Sequence, residues 1–399
     1  MIYSSVKNIK PYSLLLLILL LVSCKENTKK IKANAVAEAT TETGFQFTLN
    51  STAFDTIIDN KPIKLYWLQN DKMKLAITNY GGRFVGLWML DKHGKYTDVV
   101  VGFNSIKGFI ESSEPYFGST IGRVGNRIAK GKFELNGKHY QILINNNENT
   151  LHGGKKGFQD VVWNAEQPNE TTLILNYLSP DKEEGFPGNL QVKVTYSLSD
   201  ENTVKMEYEA NTDKPTPVNL TNHAFFNLNG EGSGTILNHS LQIYADKFTP
   251  VDDGLIPLGK LENIENTPFD FSSSHTIGER INTDNLQLKN GSGYDHNYVL
   301  NEKKVNGMNH AATVVGNKSG IIMDVYTQEP GLQFYSGNFM QSKNTFKSGA
   351  KDDYRTAFAL ETQHFPDAPN QPNFPSIILN PEDTYRTTSE YRFTVEAIK

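Results

Sequence analysis

Apolar and polar residues alternate along much of this chain with a period of two. The clearest run is Leu190, Val192, Val194, Tyr196 and Leu198, interleaved with Gln191, Lys193, Thr195 and Ser197. Ser199-Asp200-Glu201-Asn202 interrupts it, and Val204, Met206, Tyr208 and Ala210 resume it. A period of two puts one face of each arm in a core and the other in water, so the segment predicts an antiparallel hairpin. Shorter runs at 173–178, 241–245 and 321–326 predict further strands, and Asn136-Gly137 is a pair suited to a tight hairpin turn. Outside the N-terminal segment no stretch carries a long 3.6-residue apolar period. Many strands, dense turn residues and no strand–helix rhythm predict an all-β fold, a large antiparallel β-sandwich.

The two ends of the pattern differ. Lys7 and Lys10 precede an unbroken apolar run from Leu14 to Val22, followed by Ser23 and Cys24. A positive start and a short apolar stretch make a secretion signal, too short for a comfortable membrane span. Leu21-Val22-Ser23-Cys24 also resembles the lipobox of bacterial lipoproteins, whose cysteine is lipidated and becomes the mature N-terminus; the plainer alternative is an ordinary cleaved signal. Lys25-Glu26 resembles a surface-export tag of some Gram-negative lipoproteins. The lipobox resemblance implies a signal over 1–24, lipidation of Cys24 and membrane attachment through the lipid alone. The protein is then exported, facing the periplasm, on the outer membrane or at the cell surface. Residues 25–43 are Lys, Asn, Thr, Ala and Glu with little to bury, and predict a flexible tether before a body over 44–399.

Composition narrows the chemistry. Of 399 residues, 18 are Tyr and 22 Phe, with 31 Gly and 17 Pro, the balance of many strands joined by many turns. The net charge of −5 comes without a basic stripe in the body, which argues against nucleic acid as a partner. A single cysteine excludes an intramolecular disulfide framework and a Cys-rich zinc site. There is no phosphate-cradling Gly-Lys-Ser/Thr loop, no Gly-x-Ser-x-Gly elbow and no His-Glu-x-x-His, and none of the nine histidines stands at obvious metal-ligand spacing.

What stands out instead is a series of short clusters in which His, Asn, Gln and Glu sit beside aromatics and glycines. In order they are 122–131 with Asn126 and Arg127, 149–154 with His152, 219–228 with His223, 293–297 with Asp295, 330–338 with Gln333, and 360–370 with Glu361. Amides and charged groups match sugar hydroxyls, and aromatic faces cover an apolar ring, so the mixture suits a carbohydrate. Each cluster alone has a bland explanation. Glu361 reads as a solvated carboxylate at a strand end, His223 beside Phe225 and Phe226 as a satisfied core histidine, and Arg127 as a surface charge on a hairpin. Asp295-His296 could be a turn or half a metal site, and Gln333 a strand residue bonded to its neighbour. His296 and His364 read as structural or peripheral.

Six clusters in this order resemble the galactose mutarotase (aldose 1-epimerase) family over nearly the whole body. The resemblance implies a galactose mutarotase-like supersandwich and interconversion of the anomers of a free monosaccharide. Glu361 is implied as catalytic base, His223 as catalytic acid and His152 as the second active-site histidine. Asn126, Arg127, Asp295 and Gln333 fall where the family binds sugar hydroxyls. Gly125, where Ala is more common, and His364-Phe365, where Asn-Trp is common, depart from the pattern at non-catalytic positions. Ring opening and closure need neither redox chemistry nor phosphate transfer, so no cofactor and no metal are expected, in a monomer or a dimer. Reference pKa values of about 4.3 for Glu and 6.5 for His leave both groups useful without large shifts. The rivals are a hydrolase using Glu361 and Asp295 as paired carboxylates, a non-catalytic sugar-binding lipoprotein, and a sugar-phosphate epimerase, which needs a basic pocket.

Overall fold

The hairpin predicted from alternation forms the centre of the largest sheet. In the computed structural model, which describes residues 49–302 and 304–397, strand Leu190–Leu198 pairs antiparallel with Thr203–Thr212, Val194 facing Tyr208. Their odd and even positions alternate between buried and wetter exactly in step with the sequence period. Ser199 and Asn202 close the turn, with Asn202 at φ 60°. Asn136 and Gly137 are both left-handed, at φ 51° and 72°, and join Lys132–Leu135 to Lys138–Gln141, as a primed two-residue turn requires. The signal, Cys24 and the tether lie outside the described residues.

This sheet has ten strands, all paired antiparallel, running from Asn164–Asn169 through the hairpin and the long Tyr385–Val395 strand to Ile321–Thr327, Met308–Val315 and Ser240–Ile243. A second sheet of six strands has the order Phe225–Phe226, Phe358–Gln363, Gly331–Tyr335, Asp295–Leu300, Ala245–Phe248, Glu262–Asn263. The two sheets share one core. Tyr391 of the large sheet lies 5.2 Å from Phe226 and donates its hydroxyl to the Leu360 carbonyl of the small one. Val192, Val194, Met206, Val325 and Phe393 meet Leu332, Phe334 and Phe358 in the same apolar cluster. Each such side chain contributes roughly 1.5–3 kcal/mol by leaving water. A four-stranded sheet over Leu65–Asp98 adds to this core through Phe84, whose ring meets Tyr196 at 5.0 Å. The antiparallel sandwich expected from the sequence is therefore the fold.

Two short helices, Ile106–Glu111 and Leu286–Asn290, have no counterpart in the sequence pattern, because neither is long enough to complete two turns of apolar period. The six-stranded sheet departs from the pattern in another way. Phe358–Gln363 and Gly331–Tyr335 are buried at every position, so neither face is wet. Phe358, Leu360, Leu332 and Phe334 enter the shared core. On the opposite face, pairing aligns Asn297, Gln333 and Glu361 in one row across three strands, with Asp295 and Tyr335 in the next.

Candidate active site

That second face forms the floor of a cleft of about 520 Å³. Glu361 and Asp295 rise from the floor; Asn126, His152 and His223 come from loops and Arg127 from the two-residue strand Arg127–Ile128. The strand Phe358–Gln363 brings Glu361 to the cleft while Leu360 and Thr362 point the other way, which is period two applied to a strand covered on both sides.

His223 follows the short strand Thr221–Asn222, which pairs with Thr120–Ile121. Its backbone N–H donates to Ser119 O at 2.8 Å and its carbonyl accepts from Gly118 at 3.0 Å. The Phe225 ring stacks on the imidazole at 4.8 Å. Held this way, His223 Nε2 lies 3.5 Å from Glu361 Oε1, with both side chains almost fully enclosed. His223 Nδ1 and Glu361 Oε2 are buried without a hydrogen-bond partner. Buried polar atoms are seldom left this way, and an unpartnered carboxylate oxygen on a residue lining the cleft fits a place where a ligand supplies the missing bond.

Asn126 and His152 fix each other. The Asn126 N–H donates to His152 Nδ1 at 3.1 Å, and the His152 N–H donates to Asn126 O at 3.0 Å. Both residues are left-handed, at φ 61° and 53°, a conformation Asn and His tolerate better than most. The following Gly153, at φ 87°, has no room for a side chain, since a Cβ would stand 2.0 Å from the Gly122 carbonyl. Because Nδ1 of His152 accepts a hydrogen bond from the Asn126 N–H, its neutral ring carries hydrogen on Nε2 and acts as a donor.

Arg127 directs its guanidinium to Asp295 Oδ2 at 3.8 Å and its Nε donates to Asn146 Oδ1 at 3.3 Å. Gln333 donates from Nε2 to the other Asp295 oxygen at 2.6 Å. Gln333 lies beside Glu361 in the same cross-strand row; its Nε2 orients the Asp295 carboxylate, and its Oε1 is buried without a partner. Asp295 is held by a cation and an amide at once. His296 packs edge-on against the stacked rings of Phe248 and Phe269, and His364 pairs with the buried Glu329.

Burial reorders the acid–base groups. It pushes the His223 imidazole down to about 3, with the charge of Arg83 acting in the same direction against a backbone hydrogen bond. Burial holds His152 well below the usual imidazole range, and the charges of His223 and Arg127 add to this. Glu361 is pushed well above the usual carboxylate range by burial, then by the charges of Asp295 and Glu114, with Arg127 opposing. Burial also raises Asp295 against the pull of Arg127 and Gln333. The expectation that acid and base work without large shifts is therefore wrong, because the sequence shows neither how deep the pair lies nor which charges surround it.

His152, His223 and Glu361 place one ligand atom each within 4.8 Å of one another, a set suited in kind to a divalent metal. Sequence spacing could not show it, since the three residues belong to separate loops and strands. The Asn126 N–H on His152 Nδ1 works against such use, because His152 would have to give up that bond to offer a lone pair on Nε2.

The sequence clusters also missed part of the wall. Tyr116 packs its ring edge on His152 at 4.5 Å and stacks beside His223 at 5.8 Å. Glu114, Asn145, Leu255 and Phe339 line the same cleft. The Pro115-Tyr116-Phe117-Gly118 run just before the first cluster is the sequence signal that could have found Tyr116.

A family model described as aldose 1-epimerase matches residues 64–392. The galactose mutarotase of Bos taurus is 41% identical over 333 residues, covering 84% of this chain and 94% of the relative. The aldose 1-epimerase of Escherichia coli strain K12 is 35% identical over 341 residues, 85% of this chain and 97% of its own. Among solved structures, a GalM/aldose epimerase homologue from C. elegans superposes with a TM-score of 0.76 at 29% identity, covering 83% of this chain and 98% of that one.

Proposed function

The chain belongs to the aldose 1-epimerase family, and from that premise we propose that it interconverts the α and β anomers of free aldohexoses with Glu361 as base and His223 as acid. The observation that carries the assignment is the enclosed Glu361–His223 pair, 3.5 Å apart, each with a buried atom lacking a partner. Anomerisation removes a proton from the C1 hydroxyl and delivers one to the ring oxygen; rotation about C1–C2 and reclosure reverse both transfers. In the free site burial favours the neutral forms, so the pair holds a single proton on Glu361. The form that reacts, carboxylate with imidazolium, holds the same single proton, so it is reached by moving that proton within the pair. Sugar hydroxyls donating to Glu361 Oε2 favour the carboxylate and hence that move.

The remaining residues position the sugar. Arg127, Asn126 and the Nε2–H of His152 supply donors, Asp295 supplies an acceptor, and Tyr116 closes one side. Asp295 has both oxygens engaged, one facing Arg127 and one accepting from Gln333, which suits it to positioning a hydroxyl more than to serving as the second carboxylate of a glycosidase. A sugar-phosphate substrate is disfavoured too: Arg127 is the single Lys or Arg among the lining residues, and it is already turned to Asp295. Polarimetry of freshly dissolved α-D-glucose and α-D-galactose tests the function. Equilibration well above the spontaneous rate is expected with at least one of them, and the spontaneous rate with both would refute it.

The N-terminal pattern supports export and anchoring through a lipidated Cys24, with the catalytic body on a tether. Stable attachment takes more than one acyl chain, as lipobox processing provides. Wild-type protein is expected in the membrane fraction, and Cys24→Ser is expected in the soluble fraction or with its signal uncleaved. A soluble wild type with an intact thiol would overturn the anchor.

A further inference from the structure

One residue of the cleft wall is held in a backbone conformation that its own side chain opposes. Leu255 lines the cleft at φ 62°, in the left-handed region, where the Cβ of a bulky residue crowds its own backbone. Gly254, which could adopt that region freely, stands one position earlier and is not left-handed. The loop that follows strand Ala245–Phe248 imposes the conformation from several sides. Asp252 Oδ1 accepts the N–H groups of Gly254 and Ile256, both at 2.9 Å, and the Leu255 N–H donates to the Asp252 carbonyl at 3.1 Å. From outside the loop, Gln287 bonds both backbone groups of Val251 at 2.7 and 2.9 Å, and Asn149 Nδ2 donates to the Gly254 carbonyl at 3.3 Å. Leu255 is nearly buried, yet it belongs neither to the core shared by the sheets nor to the apolar clusters around Phe133 and Tyr116. Its apolar surface is thus kept at the cleft, in a wall that Asn126, Arg127, His152 and Asp295 otherwise make polar. Backbone strain that surrounding bonds force on one residue collects at binding and catalytic sites.

We propose that Leu255 is a substrate contact: its isobutyl group packs on the apolar C–H surface of the bound aldose while the polar wall takes the hydroxyls. The contact rests on the mutarotase assignment and adds to it a residue outside the six sequence clusters. A pyranose presents both kinds of surface. An aliphatic group matches only the C–H kind, since a hydroxyl turned against it loses water without gaining a partner. Removing the contact therefore weakens binding and leaves proton transfer to Glu361 and His223 as before.

The test sets polarimetric kinetics on fresh α-D-glucose and α-D-galactose beside urea unfolding. Leu255→Asn suits the left-handed backbone better and removes the apolar surface, so its unfolding midpoint is expected near or above that of wild type. Its KM is expected to rise roughly five- to tenfold, the scale of one apolar contact, with little change in kcat. Leu255→Met keeps an apolar chain of similar reach and should hold KM close to wild type. Leu258→Asn, at an exposed position of the same loop, should leave KM in place. Wild type with isotope-labelled leucine methyl groups gives a readout independent of variant folding: the Leu255 methyl resonances, identified by their loss in Leu255→Met, should shift on titration with the sugar that is turned over. Methyl resonances unmoved at saturating sugar, or an unchanged KM in folded Leu255→Asn, would overturn the contact and leave the mutarotase assignment standing. Absence of mutarotation of both sugars by wild type would remove the assignment and the contact with it.

Discussion

Glu361→Gln is expected to reduce enzymatic mutarotation by roughly 10²–10⁴-fold, the usual contribution of a positioned acid or base. Gln keeps the size and much of the hydrogen bonding of Glu but cannot take the C1 proton, so the loss falls on kcat while KM stays within a few-fold. His223→Asn is expected to lose a similar factor, since His223 Nε2 stands 3.5 Å from Glu361 Oε1, whereas the Nδ1 of His152 is engaged by the Asn126 N–H. The double variant should be little worse than either single one, because both residues serve one proton-coupled event. The same pair shapes the pH profile. Activity requires one proton on the pair, and burial has placed His223 below Glu361 in acidity order. The acidic limb therefore reports uptake of a second proton at His223, and the alkaline limb reports loss of the shared proton from Glu361. This is the reverse of the order their ordinary values would give, and each limb belongs to the coupled pair. Near-wild-type mutarotation by both folded single variants would refute the assignment. An acidic limb that stays in place in His223→Asn would refute the order of the limbs.

The second large effect is on stability. Lys347 is buried behind the site with two acids: its Nζ lies 2.6 Å from Glu231 Oε2 and 3.2 Å from Asp98 Oδ2, and it donates to the Val100 carbonyl at 2.9 Å. Glu231 in turn accepts the N–H groups of Gly102 and Ser348. This cluster holds the 342–352 segment against the body. From that segment Phe346 packs on Phe117 at 5.3 Å, Phe117 on Phe225 at 4.6 Å, and Phe225 on His223. Lys347→Met is expected to cost about 3–5 kcal/mol, because it strands two buried carboxyls without a cation. Burial already pushes Asp98 up to about 7, against the pull of Lys347 and with the push of Glu231. Without Lys347, Asp98 rises further above its unfolded value. A carboxyl raised in the folded state loses stability as pH climbs from the unfolded to the folded pKa, so the deficit should be larger at pH 8 than at pH 6. Urea titration at the two pH values reads this directly. Adding Glu231→Gln should recover part of the loss, and an unchanged unfolding midpoint in Lys347→Met would show that the cluster does not brace the fold.

The alternating stretch from Leu190 to Ala210 determined its own hairpin, because period two leaves one arrangement that buries Val194 and Tyr208 while wetting Lys193 and Glu209. Asn136-Gly137 determined its turn for an equally local reason, the backbone freedom of both residues. The order of the polar clusters pointed to Glu361, His223, His152, Asn126, Arg127 and Asp295, and all six meet at one cleft. Local pattern could not give the strand Phe358–Gln363, since a strand covered on both faces loses the alternation that marks a half-wet one. Nor could it show that Gln333 Nε2 orients Asp295, because that pairing depends on cross-strand register. Glu114 and Tyr116 entered the site through a loop whose path is set by distant partners. The acidity order of Glu361 and His223 was decided at the same level. Desolvation and the fields of Asp295, Glu114, Arg127 and Arg83 are sums over residues remote in sequence, and they take values only when the chain has closed around them.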